Sequence, residues 1–234
     1  EFLFNIRIYE CARFVYLRLI RIFVITPAQI IPAINAATWE EVVRKIRIVE
    51  PHVEWVHIDV ADGTFTPNSL WHDPQELVGF ETKCRIEIHF MADHPEERLE
   101  QWLVEPVKRM IVHQEVIRDL AFITGKCHDA KTEVGLAADS HTPASALVPF
   151  AASVDLLQVL AVHAGKGGQE FERHNIEKIK HLRASLHDVI VEVDGGMTPP
   201  LAAECRAAGA NIIVAGSYVF DHLDPSLAIK ELAR

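Results

Sequence analysis

Eight apolar runs of strand length, separated by segments of helical character, repeat from Gln29 to the C-terminus. This alternation constrains the fold more than any other feature, because strands that alternate with helices are joined by crossovers and build a parallel sheet. The runs are QIIPAI (29–34), WVHIDV (55–60), RIEIHFM (85–91), RMIVHQE (109–115), TEVGLAA (132–138), DLLQVLAV (155–162), DVIVEVDG (188–195) and NIIVAGS (211–217). Helices are expected from the cap Thr38 to Val49, and then over 95–104, 117–130, 143–151, 174–186, 199–208 and 225–233, the last started by Asp224-Pro225. The connection 64–79 is the longest and least regular. Eight such units within residues 26–234 predict a single-domain α/β protein, a closed (β/α)8 TIM barrel, with a doubly wound open sheet as runner-up.

Composition narrows the function classes. A hydrophobic content of 49% supplies a large core, and a net charge of −10 argues against a general nucleic-acid binder, which would carry a basic patch. The four cysteines, Cys11, Cys84, Cys127 and Cys205, are widely spread with no CxxC pair, so neither a zinc knuckle nor a disulfide framework is expected, and a reducing cytoplasm fits. Residues 1–25 stand outside the repeating pattern. Arg7, Arg13, Arg18 and Arg21 interrupt their apolar character too often for a membrane span, and the order of a signal peptide is missing. An N-terminal extension that packs on the barrel is the plainer expectation; a membrane-surface helix is the other.

In a barrel of this kind function sits at the C-terminal ends of the strands. Strand side chains have period two, so in the second run Val56, Ile58 and Val60 share one face while His57 and Asp59 share the other. The third run turns Glu87, His89 and Met91 inward, and the seventh turns Glu192 and Asp194 inward. His57, Asp59, His89 and Asp194 thus converge as two imidazoles and two carboxylates, a donor set suited to one divalent ion such as Zn²⁺, Mn²⁺ or Fe²⁺. Glu87 and Glu192 lie one inward step below and are placed to orient the histidines. The alternative for any one of these groups is a hydrogen-bonded polar side chain in a buried core.

The remaining strand ends are glycine-rich. The sixth runs into HAGKGGQEF with Gly165, Gly167 and Gly168, the seventh ends in Gly195-Gly196, and the eighth in Gly216-Ser217. Glycines let backbone N–H groups approach an anion closely, and loops after late strands are the usual phosphate site of such barrels. Lys166 adds a cation. Ordinary turn glycines are the bland alternative.

From about Gln29 onward the chain resembles the ribulose-phosphate 3-epimerase family of phosphate-binding barrels. The words that carry the resemblance are HIDVADG (57–63) with Pro67-Asn68, HFM (89–91), GGQEF (167–171), VEVDGG (191–196) and VAGS (214–217), in that order. The resemblance implies an isomerase of carbohydrate metabolism, in the pentose phosphate pathway, that inverts C3 of a 2-ketopentose phosphate. It implies His57, Asp59, His89 and Asp194 as metal ligands, with Asp59 and Asp194 also the two acid/base groups that flank an enediolate. Gly165, Lys166, Gly167, Gly168, Gly195, Gly196, Gly216 and Ser217 would hold the phosphate end of the sugar, with His89 also facing substrate. A homo-oligomer without a membrane span or nucleic-acid partner is expected.

The chain departs from that family's pattern in places. Ala33 stands where a serine is usual, Ala61 and the region of Leu160 where methionines are usual, and Asp139-Ser140-His141 where asparagine-proline is usual. Ala164 and Lys166 replace a proline and an aromatic residue in the phosphate loop. An intact ligand set in an altered pocket points to a divergent epimerase, for which the resemblance makes D-ribulose 5-phosphate the leading substrate. Another ketose phosphate, such as a hexulose phosphate, and a non-catalytic sugar-phosphate-binding barrel are the alternatives.

Overall fold

Every strand of the sheet pairs in parallel with its neighbours in the chain, and the last closes on the first. The computed structural model describes residues 28–234, and the expected extension over 1–25 lies outside them. The eight strands are β1 (Gln29–Ile34), β2 (Trp55–Ala61), β3 (Arg85–Met91), β4 (Val107–His113), β5 (Glu133–Ala138), β6 (Leu156–Leu160), β7 (Ile190–Asp194) and β8 (Ile212–Ala215). They form the closed barrel that the alternation predicts; the open sheet is excluded by the β1–β8 pairing.

The outward strand faces make the main core. Val56, Ile58, Ile88, Val112, Leu136, Val159 and Val193 pack in one cluster with apolar side chains of the surrounding helices. Helix α1 (Trp39–Val49) illustrates why those helices form. Thr38 Oγ1 accepts from the Glu41 N–H at 3.3 Å and caps the first turn, Glu40 and Glu41 face its positive end, and Val42, Ile46 and Val49 bury one stripe. Burying a side chain such as Ile46 contributes roughly 1.5–3 kcal/mol. Four more helices cover the rest of the barrel: α2 (Leu120–Asp129), α3 (Asn175–Ser185), α4 (Pro199–Ala208) and, after the single turn α5 (Ser217–Phe220), α6 (Pro225–Leu232). Asp119 and Asp224 cap α2 and α6 through their carboxylates. None of the described helices is long and apolar enough to cross a membrane.

Two expected helices are replaced by 3₁₀ turns. Residues 95–104 form the short turns Pro95–Glu97 and Leu99–Trp102, broken at Arg98, whose φ of −124° leaves the helical region. Arg98 pairs with Asp62 just beyond β2, and Glu96 accepts from the N–H groups of Arg118 and Asp119, so tertiary partners dictate this segment. Residues 143–151 form Ala144–Ala146 and Val148–Phe150, where Pro149 lacks the N–H that an α-helix needs. The irregular connection 64–79 holds a 3₁₀ turn at Pro74–Leu77.

The lower interior of the barrel is polar. A register shift between Ile86 and Glu87 sets Arg109 opposite Glu87, and their side chains pair at 2.5 Å. Arg109 also meets Glu133 at 2.6 Å and Glu192 at 3.8 Å, and its guanidinium lies 4.2 Å from the Trp55 ring centroid. Gln158 donates to Glu192 at 3.0 Å. The buried Arg109–Glu87 pair persists because each charge has its partner. Above this layer, toward the C-terminal ends of the strands, lie the candidate site residues.

Candidate active site

Strand pairing places the polar residues before any side-chain contact is considered. In the β2–β3 register His57 stands beside Glu87 and Asp59 beside His89. The inward phase read from sequence therefore stacks two rows across adjacent strands. Asp194 ends β7, opposite Leu160 of β6 and Val214 of β8, and turns into the same space.

The four side chains meet. His57 Nε2 is 3.4 Å from Asp59 Oδ1 and 3.8 Å from Asp194 Oδ2; His89 Nδ1 is 3.1 Å and 3.6 Å from the same two atoms. One donor atom from each residue lies within 4.8 Å of all the others. His57 Nδ1 sits 2.7 Å from Glu87 Oε1, so it carries the proton and donates, and the lone pair of Nε2 faces the carboxylates. That buried Nε2 atom has no hydrogen-bond partner among the described residues. On the other imidazole, His89 Nε2 lies 2.8 Å from His113 Nε2, and His113 Nδ1 lies 3.3 Å from Glu115 Oε2. A chain of donation from His89 to His113 to Glu115 leaves His89 Nδ1 with a lone pair toward the same space. Two lone pairs and two carboxylates facing one point fit a divalent ion, and an orphaned buried nitrogen is what such an ion would satisfy.

Environment separates the two carboxylates. Burial pushes the Asp194 carboxyl up to about 7, with the negative charges of Asp59 and Glu87 adding to the effect against the pull of His57. Burial acts on Asp59 in the same sense, but the imidazoles of His57 and His89, 3.4 and 3.1 Å away, outweigh it and hold that carboxyl well below its ordinary range. His89 is lowered to about 4, chiefly by burial. His57 is equally buried, yet the carboxylates of Asp59, Glu87 and Asp194 around it hold it well above the usual imidazole value, so an ion binding at Nε2 would displace a proton. Two carboxyls with such divergent affinities for a proton are the arrangement that acid/base pairs use.

Above these groups opens a cavity of about 480 Å³. Asp59, His89 and Asp194 form its floor, while His57 lies beneath, fully buried. Gly165, Lys166, Gly167 and Gly168 line one wall after β6; Gly195 and Gly196 follow β7, and Gly216 and Ser217 lead into α5. At Gly165, Gly195 and Gly196 the loops leave no room for a side chain. Gly196 has φ +65°, and a Cβ there would come within 2.3 Å of the Phe171 nitrogen; Gly165 has φ +91°, and a Cβ there would meet Thr66 Oγ1 at 2.2 Å. The long second connection thus packs against the sixth loop. Ala33 and Leu160, two departures from the resembled pattern, line the cavity, as does Met91; Ala61 is buried outside the lining.

Of the two glutamates expected to orient histidines, Glu87 does so and Glu192 does not. Glu192 lies near His57 but accepts from Gln158 instead, and burial, reinforced by the charge of Glu87, raises its carboxyl to about 8. Sequence reasoning missed Asn35, whose amide donates to Asp59 Oδ2 at 3.3 Å, and the pair His113 and Glu115 behind His89. Their inward phase was readable, since Ala33 and Asn35 share a phase at the end of β1 and Arg109, Ile111 and His113 share one on β4, but phase alone does not single them out.

Comparison with known proteins agrees with this geometry. Residues 29–220 match the family model described as Ribulose-phosphate 3 epimerase family. The chain is similar to "Ribulose-phosphate 3-epimerase" of Schizosaccharomyces pombe, 30% identical over 211 residues, covering 88% of this chain and 92% of that one. It is also similar to "Ribulose-5-phosphate-3-epimerase, chloroplastic" of Arabidopsis thaliana, 32% identical over 210 residues, covering 85% and 74%. Among solved structures, 3-hexulose-6-phosphate synthase from Salmonella typhimurium superposes with a TM-score of 0.67 at 13% identity, covering 88% of this chain and 96% of that one. At that identity the likeness is one of fold alone.

Proposed function

The chain belongs to the ribulose-phosphate 3-epimerase family, and on that premise we propose that it interconverts D-ribulose 5-phosphate and D-xylulose 5-phosphate by inverting C3. The observation that carries this reading is the pairing of Asp59 and Asp194, on strands separated by β8 and β1, around one pair of imidazoles at the floor of the cavity. A proton next to a carbonyl is removed on one face of the sugar and returned on the other, so two acid/base groups are needed. Asp59 takes the proton in one direction of reaction and Asp194 in the other. The intermediate is a planar enediolate held between them.

His57, Asp59, His89 and Asp194 are the residues that would hold a divalent ion. Such an ion would act as a Lewis acid toward the negative charge that develops on the sugar oxygens. Glu87 and His113 keep the two imidazoles in the tautomers that face the floor. Gly168, Gly196, Gly216 and Ser217 present backbone and hydroxyl groups to the phosphate, and Lys166 adds positive charge on that side. Asn35 holds Asp59 in position. The thiols of Cys84, Cys127 and Cys205 are buried and free, in keeping with a reducing, cytoplasmic setting.

The test is an epimerisation assay on D-ribulose 5-phosphate in D₂O with added Zn²⁺, Mn²⁺ or Fe²⁺. D-xylulose 5-phosphate carrying deuterium at C3 is the expected product. Binding of the sugar phosphate without exchange at C3 would mean a non-catalytic barrel and overturn the reading.

A further inference from the structure

The loops that follow β5 and β6 meet at the rim of the barrel and bring together a second set of metal-binding side chains. Asp139 and His141 come from the first loop and His163 from the second, and one donor atom of each lies within 4.8 Å of the others. None of the three belongs to the cluster of His57, Asp59, His89 and Asp194. The rings of His141 and His163 lie face to face, with centroids 5.1 Å apart and planes 16° from parallel. His141 Nδ1 stands 3.7 Å from Asp139 Oδ1. Around a tetrahedral ion with bonds of about 2.1 Å, ligand atoms stand about 3.4 Å apart, so small side-chain rotations complete the geometry.

One side of the cluster is built rigidly. The Asp139 N–H donates to Glu115 Oε1 at 2.9 Å, and Lys178 Nζ donates to the carbonyls of Asp139 and Ser140 at 2.8 and 2.9 Å. The other side is His163 on the sixth loop, and both His141 and His163 are exposed to solvent and able to exchange water for an ion. A fourth donor is near: Glu172 Oε1 is 3.4 Å from His163 Nε2. Two imidazoles and a carboxylate select borderline ions such as Zn²⁺ over Mg²⁺ or Ca²⁺, which want oxygen ligands only.

We propose that Asp139, His141 and His163 form a second divalent-metal site, of the Zn²⁺ class, that ties the β5 loop to the β6 loop. The tie bears on the cavity, because His163 lies two residues before Gly165 and the same loop forms the glycine wall. An ion there restrains the segment that closes around the phosphate end of a substrate.

Zinc counting separates the two sites. Wild type, His89→Ala, His141→Gln and His163→Gln are dialysed to equilibrium against micromolar Zn²⁺ and their metal content measured. His141→Gln and His163→Gln each hold one Zn²⁺ per chain fewer than wild type, whereas His89→Ala keeps the ion that those two lose. Both substituted histidines are exposed, so neither change threatens folding. Zinc also slows hydrogen exchange across residues 163–168 in wild type and His89→Ala but not in His141→Gln. If His141→Gln and His163→Gln bind as much Zn²⁺ as wild type, or if zinc leaves exchange in that loop unchanged, the proposal is overturned. Failure of the epimerase reading leaves this count untouched.

Discussion

His57 Nδ1 lies 2.7 Å from Glu87 Oε1, between two fully buried side chains paired in the register of β2 and β3. The contact fixes which nitrogen of His57 carries the proton and therefore which one is left to bind an ion. Groups that orient a ligating histidine typically govern metal affinity by about 10–100-fold. Glu87→Gln should lower Zn²⁺ affinity by about that factor, read by competition with a chelator, and His89→Ala should strip the floor of its ion altogether. Equal affinity in Glu87→Gln and wild type would show that the tautomer is set elsewhere.

The proposed phosphate site is tested at Gly196. Gly196→Val forces a side chain onto φ +65° and against the Phe171 backbone. The expected result is at least about tenfold weaker sugar-phosphate binding, equivalent to about 1.4 kcal/mol. Calorimetric titration gives the affinity, with circular dichroism to confirm the fold. A folded variant that binds as tightly as wild type would place the phosphate elsewhere.

The acid/base assignment is tested by keeping the metal and removing the proton carrier. Asn retains the shape of Asp194 but takes up no proton. General acid–base catalysis is typically worth about 10²–10⁴-fold, so Asp194→Asn should lose at least about 10²-fold in turnover with its metal fully restored. Isotope exchange should persist on the face served by Asp59 while inversion fails. Near wild-type inversion would reduce Asp194 to a ligand, and Lys166, which lines the cavity, would be the next residue to substitute.

Lys178 gives the stability profile a feature at alkaline pH. Burial lowers its ammonium from an ordinary value near 10.5 to about 8, against the attraction of Asp139, Glu115 and Glu172. Between those values the unfolded chain binds more protons at this position than the folded one, so the contribution to stability rises with pH from about 8 to about 10.5. It is complete above the unfolded value and lost as pH falls through the folded one. Urea denaturation across this range should show the rise in wild type and lose it in Lys178→Met. The same slope in both would assign it to other groups.

The inward phases of β2, β3 and β7 were legible because alternation along a strand is a local property, carried by the chain without reference to its neighbours. The same reasoning extends to Asn35 and His113, whose strand phases match those of their neighbours. It gives no reason to single them out, because their roles depend on pairing with Asp59 and His89 on other strands. Glu192 had the right phase and still faces Gln158 and Arg109, since the partner of a buried carboxylate is chosen by the barrel interior. The helices expected over 95–104 and 143–151 failed for a related reason: contacts of Arg98 and Glu96 in one case and Pro149 in the other outweighed weak local propensity.

By itself the sequence determined the number of β/α units, the apolar and polar faces of the strands, and the residue types that end up at the barrel mouth. These follow from period two in strands, period 3.6 in helices and the conformational freedom of glycine, all of which act within a few residues. Only the tertiary structure decided that β1 closes on β8, that the shift at Ile86 and Glu87 delivers Arg109 to a buried carboxylate, and that Asp139 and His141 meet His163 across two loops. Those outcomes depend on register and loop packing between segments far apart in the chain, where many pairings satisfy the same local pattern and burial selects one of them.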